Sequence, residues 1–422
     1  MRPWSHPITD LFTPERRLPR FRSRSKDGPY RLLVARDVRI VGPGFGLSDP
    51  DPGCDVPECD IPGCGRVREA APGTRSGRVP GPRARAGAGA GAGWLSNHAP
   101  MAVEALVRHG RAPAVHRWLD HYRHKLEDMP DTASRITAEN WREALGDPRR
   151  IADWTVHFER ETAERPWREV LAEWWPRLLP GIAAGATHPA IRVGHAVRTL
   201  LGGEATAPRV TEPAHGLGYW AARHQPLPAP TPLAPEPSAA AALDAVPPVS
   251  DQSGGIRDRL ARLTGFPVWP PRPAGAPDEA RAHMEELVRA ATHRYAAYGY
   301  GEPIMLVHAA TAPNAVLRTL PALPRTLWGP SLEATWAASA AVTAAYAPAE
   351  PAPARGPDPS APEFSSLPSS SSSLSSAEEV FARAAARGND HAIKFADTAL
   401  DVGDATALRA ALGAVELIPP AL

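Results

Sequence analysis

Apolar residues recur along most of this chain at helical spacing, and almost nowhere at the two-residue spacing of a half-buried strand. In 114–128, Val115, Trp118, Leu119, Tyr122 and Leu126 fall at i, i+3, i+4, i+7 and i+11, one apolar stripe of an amphipathic helix. Asp147 and Pro148 read as a cap and first-turn proline for a helix on which Ile151, Trp154 and Phe158 share a face. Thr137 is placed to cap a helix over 138–145, and Gly146 to stop it. The same style runs through 94–110, 166–182, 186–201, 256–263, 278–299, 302–320, 376–388 and 389–403. Pro313 is expected to kink the helix over 302–320. The strand-like exception is 31–42. The expected fold class is mainly α, a single large multi-helical domain over 94–422.

Three stretches break the pattern. Residues 1–93 are rich in Pro, Gly and Arg and end in the run AGAGAGAG over 86–93. Such a stretch buries too little apolar surface to offset its ordering entropy, so it reads as a disordered extension. Residues 226–250 read as a Pro/Ala linker or surface excursion, and 347–376 as a Pro/Ser linker.

Composition narrows the function classes. The chain has 422 residues, 43% of them hydrophobic, enough for a substantial core. A net charge of +1 gives no basic field for nucleic acid or an anionic membrane. No stretch approaches the roughly 20 apolar residues of a membrane span, and the first residues lack the apolar run of a signal peptide. Cys54, Cys59 and Cys64 are crowded and odd in number, which does not suit a disulfide framework. Their spacing also suits a structural zinc poorly. A cytoplasmic setting is expected. No Walker-type or dinucleotide fingerprint and no G-x-S-x-G elbow is present.

The histidines carry the chemistry. Most of the 15 need no function; His109, His116, His121 and His124, for example, sit among charges on helix faces, where exposure is the rule. Four lie instead in apolar surroundings: His98, His188, His308 and His391. Each alone reads as a satisfied core histidine. Together, projecting inward from several helices, they match the layout of a helical-bundle metal site, for which neutral imidazole is a common ligand. His195, seven residues from His188, sits about 10 Å further along the helix and is expected to face substrate or support the ligands. Lys394 stands one turn after His391 in a chain whose only other lysines are Lys26 and Lys125. Arginine keeps its proton; a buried lysine can lose it and act as base or nucleophile, or take up carbon dioxide as an anionic carbamate. The bland alternative is a lysine snorkelling at a helix edge. Trp220 and Phe395 are singled out, among many aromatics, as possible walls for a planar substrate.

Five motifs occur in order: WLSNHAPMA, THPAIRVGHAVRTL, EPAHGLGYWAAR, EPIMLVHAATAPNAV and NDHAIKFADTAL. With them the chain resembles the questin oxidase-like family over 94–422. That resemblance implies a helical oxygenase of polyketide biosynthesis, acting with dioxygen on a quinone or other phenolic substrate. It implies Fe(II) held by His98, His188, His308, His391 and a modified Lys394. From their own chemistry, Lys394 and His195 are the catalytic candidates, His195 for proton transfer. The same-class alternative is a metal-free or NADPH-assisted Baeyer–Villiger oxidase; a non-catalytic small-molecule-binding protein is the alternative of another class. The chain departs from the family pattern before SNH, where Gly/Ala/Arg repeats replace a helix, and at Pro189, where glycine is expected. Pro189 still suits a first helical turn.

Overall fold

A computed structural model describes residues 96–421, apart from 127–128 and 354–370. The extension 1–93, the run 31–42 and the three cysteines lie outside the described residues. Helices of eight residues or more are α1 (Ala99–Arg108), α2 (Val115–Tyr122), α3 (Ile151–Glu164), α4 (Trp167–Leu178), α5 (His188–Leu201), α6 (Ala207–Arg223), α7 (Pro277–Tyr298), α8 (His308–Thr319), α9 (Trp328–Tyr346), α10 (Ser371–Arg387), α11 (Asp390–Val402) and α12 (Ala405–Leu417). Two short strands, β1 (Thr231–Pro235) and β2 (Gly265–Val268), pair in parallel. The fold is mainly α, as the periodicity dictates.

Two expected helices differ in detail. The one over 138–145 contracts to Trp141–Ala144, because Asn140 Oδ1 turns back to accept from the Thr137 amide at 2.9 Å. The helix expected over 302–320 divides into a short helix, Pro303–Leu306, and α8, which runs through Pro313. The carbonyl that a proline leaves without its helical donor belongs to Ala309, four residues earlier, and the Ser339 hydroxyl of α9 donates to it at 2.9 Å.

The stretch 226–250 divides: its Pro-rich first half is an exposed excursion carrying β1, and its second half packs on the core. Ser238 caps a short helix over Ala239–Asp244, and Ala239, Ala242, Leu243, Val246 and Val249 all join the main core. Its proline content masked the helical spacing of those residues. Of the expected linker 347–376, Ala352 donates its amide to Ala297 at 2.7 Å, and α10 already begins at Ser371.

One core surrounds Trp154, Trp175 and Trp220; a second, around Trp118, Phe381 and Ile393, joins α1 and α2 to α10, α11 and α12. Trp175 donates its indole N–H to Ser331 Oγ at 2.9 Å and Trp118 to the Gly388 carbonyl at 2.7 Å, whereas the buried Trp174 Nε1 has no partner. Trp220 and Phe395 are fully buried, packed on Trp175 and Tyr295. They are core residues, which corrects the expectation of a substrate wall.

Helices α1, α5, α8 and α11 close a four-helix ring in which each packs on two neighbours. Gly194 permits the α5–α8 contact: a Cβ there would lie 2.5 Å from the Ala315 carbonyl oxygen. Gly194→Ala is therefore expected to destabilise the protein by about 1–3 kcal/mol through overpacking. Denaturant unfolding measures this; an unchanged midpoint would contradict the close approach.

Candidate metal centre

Each helix of the ring begins near one of the four singled-out histidines. His98 precedes α1, where Asn97 Oδ1 accepts from the Ala99 amide at 3.0 Å and the Tyr122 hydroxyl accepts from the His98 amide at 2.8 Å. His391 sits in the first turn of α11, capped by Asn389, whose Oδ1 accepts from the His391 amide at 2.9 Å. His188 follows an unusual turn. Gly185, Ala186 and Thr187 take φ values of 55°, 55° and 64°. A β-branched threonine in the left-handed region is strained by about 1–3 kcal/mol. Pro189 sits in the first turn of α5, as its fixed φ favours.

The four rings converge. Centroids lie 4.3 Å apart for His98–His188, 4.4 Å for His188–His308, 4.7 Å for His98–His391 and 5.3 Å for His308–His391. Ring nitrogens of His98, His188 and His391 lie within 4.8 Å of one another. All four Nδ1 atoms face oxygen acceptors. His188 Nδ1 donates to the Gly185 carbonyl at 2.6 Å and His308 Nδ1 to the Met305 carbonyl at 3.0 Å. His98 and His391 Nδ1 each lie 2.8 Å from a carboxylate oxygen of Asp390. His188 Nε2 and His308 Nε2 are 3.0 Å apart. A carbonyl only accepts, so both Nδ1 atoms carry protons and two Nε2 lone pairs point at each other. That contact is repulsive unless a cation lies between them.

A proton is a poor candidate for that cation. Burial holds the His188 and His308 rings well below the usual imidazole range, and neighbouring charges push them further. Burial likewise brings His98 down to about 3, with Lys394 adding to the effect and Asp390 opposing it. A divalent metal fits. Two nitrogens at about 2.1 Å from one ion, at right angles, are about 3.0 Å apart. The donor set thus suits a metal centre.

Lys394 is 1% exposed, with Nζ 3.4 Å from His98 Nδ1. Burial lowers its pKa to about 8, against the pull of Asp390. Since His98 Nδ1 donates to Asp390, it cannot also accept from an ammonium, so this contact too favours the neutral amine. Thr311, one turn beyond His308, leaves its buried hydroxyl without a partner.

His195 lies elsewhere. One to two turns beyond the histidines, Met101, Ile191, Ala312 and Ala315 form an apolar layer. Beyond it is a second polar layer built from the same four helices. His195 Nδ1 pairs with Glu104 at 2.7 Å, and Arg198 bridges Glu104 and Asp397. Arg318 pairs with Asp397 at 2.8 Å and with Asp401. His109 Nε2 meets Asp397 at 2.9 Å. The structure brings His98, His188, His308, His391 and Lys394 together and sets His195 apart, in this charged layer. Although Glu104, His195 and Asp397 are close enough to hold a metal, the Arg198 guanidinium already fills the cation position between Glu104 and Asp397.

Sequence reasoning missed Asp390. Its adjacency to His391 was visible, but an acid in a first helical turn has a sufficient local explanation in the helix dipole.

Residues 95–252 match the model of the questin oxidase-like family. The matched span holds the first three of the five motifs, with His98, His188 and His195; the segments bearing His308, His391 and Lys394 lie beyond it. No curated protein matches the chain. The family match implies an oxidoreductase acting on a small molecule. Among the described residues, no helix is long and apolar enough to cross a membrane.

Proposed function

Starting from this match to the questin oxidase-like family, we propose that the protein is a non-haem iron oxygenase that oxidises or cleaves a quinone or phenolic polyketide. The observation that carries the metal reading is the facing pair of Nε2 lone pairs on His188 and His308, 3.0 Å apart. His98, His188, His308 and His391 would hold the ion, each through the Nε2 left free by its Nδ1 partner. Four neutral imidazoles leave its charge uncompensated, and one anionic oxygen ligand favours ferrous iron over softer competitors. When bound, iron supplies the one-electron chemistry through which dioxygen reacts with a closed-shell ring.

Lys394 supplies the anionic oxygen. Its neutral amine adds to carbon dioxide, forming a C–N bond and releasing one proton, to give a carbamate. Burial supports this step by keeping a fraction of the amine neutral near neutral pH. Proton transfer is not assigned to His195, because Met101, Ile191, Ala312 and Ala315 separate its layer from the histidines.

Metal analysis of protein purified without a histidine tag is expected to find about one iron per chain, with stoichiometry limited by the single site. Chelation is expected to abolish turnover, and ferrous iron to restore it. Unchanged turnover after metal removal would favour a metal-free or NADPH-assisted oxidase instead. An empty site with an aromatic ligand still bound would favour a non-catalytic binding protein.

A further inference from the structure

We infer that Asp390 is a positioning residue shared by two of the four histidines: one carboxylate orients His98 and His391 together and decides which nitrogen each ring presents. Its Oδ2 lies 2.8 Å from His98 Nδ1 and its Oδ1 2.8 Å from His391 Nδ1. An ionised carboxylate only accepts, so both Nδ1 atoms carry the proton and both Nε2 atoms keep a free lone pair. Asp390 is 6% exposed.

The arrangement solves a geometric problem. His188 and His308 each find a carbonyl three residues earlier in their own chain segment. His98 and His391 belong to different helices, with ring centroids 4.7 Å apart. A carbonyl oxygen would fix one ring; the two oxygens of one carboxylate fix both, and thereby fix α11 against the start of α1. With both oxygens facing Nδ1 atoms, Asp390 acts on the centre through the imidazoles. A carboxylate partner raises the basicity of a ligating histidine as well as orienting it.

The identity of the bound ion rests on the iron reading above; the tautomers do not. Asp390→Asn tests the inference with little change in size. The amide keeps one acceptor and gains a donor, so only one of the two rings can keep its Nδ1 proton on this side chain. Nitrogen-15 NMR of the histidine side chains in metal-free protein is expected to show Nδ1–H tautomers at His98, His188, His308 and His391. In Asp390→Asn, His98 or His391 is expected to change tautomer, while His188 and His308 do not. Ferrous iron affinity, measured anaerobically by competition with a chromophoric chelator, is expected to fall about 10–100-fold. Circular dichroism and thermal melting report whether the variant is folded, and an Asp390→Ser variant, which lacks the carboxylate and offers one hydroxyl, provides a second folded comparison. Unchanged tautomers in the folded variants would overturn the positioning role, even if affinity fell. A tautomer change in a protein whose wild type binds no iron would uphold that role and overturn the iron reading.

Discussion

Lys394→Arg is expected to abolish both iron content and turnover, with at least a hundredfold loss of activity if one ligand and the site charge are lost together. The side chain at this position is 1% exposed and lies against His98. Arginine there keeps its charge at any accessible pH and cannot form a carbamate. It would also place a permanent cation beside the four imidazoles, where a metal should sit. Because a buried guanidinium can destabilise the fold by itself, Lys394→Met is the companion variant: it removes the amine without adding charge. Lys394→Met is expected to fold, to bind ferrous iron weakly and to show no dependence on added bicarbonate. Wild-type affinity is expected to rise with bicarbonate. Full iron content in Lys394→Arg, or wild-type affinity indifferent to carbon dioxide, would remove the carbamate from the mechanism.

The second large effect concerns stability. Asp397→Ala is expected to cost about 3–5 kcal/mol, the range for removing one member of a buried ion pair. Asp397 is 0% exposed and receives hydrogen bonds from Arg198 at 2.9 Å and Arg318 at 2.8 Å. Removing it leaves two guanidinium groups, each 10% exposed or less, with Glu104 and Asp401 as their remaining carboxylate partners. Burial alone would raise the Asp397 pKa, but Arg318, Arg198 and the His109 bond hold it well below the usual range. Its contribution is therefore fully present above the unfolded carboxyl pKa of about 4 and is lost only as pH falls through the lower folded value. Guanidinium unfolding of metal-free wild type and Asp397→Ala near neutral pH measures the difference. A cost under about 1 kcal/mol, the value of an exposed pair, would mean that this layer does not hold the bundle together.

The two layers explain why one residue was misplaced from sequence. His195 resembles the other buried histidines in its setting: an apolar helix, two turns from His188. Its distance along the axis was predictable. What lies opposite it was not, because Glu104 and Asp397 come from α1 and α11. The stretch 226–250 shows the converse. Ala239, Ala242, Leu243 and Val246 do repeat at helical spacing, but flanking prolines dominate the composition, and only contact with the core fixes the segment.

By itself, the sequence determined the helical class, the positions of most helices and the short set of residues with unusual chemistry. Those properties are local: apolar periodicity, caps, a first-turn proline, a lysine where arginine is the habit. The tertiary structure decided which of these residues meet. His188 and His308 are 120 residues apart, and His98 and Lys394 are 296 apart. Their convergence depends on helix packing that no local pattern encodes, including the close α5–α8 approach at Gly194. Only that packing turns Asp390 from a first-turn acid into the shared anchor of two imidazoles, and gives His195 to a salt-bridged layer beyond an apolar one.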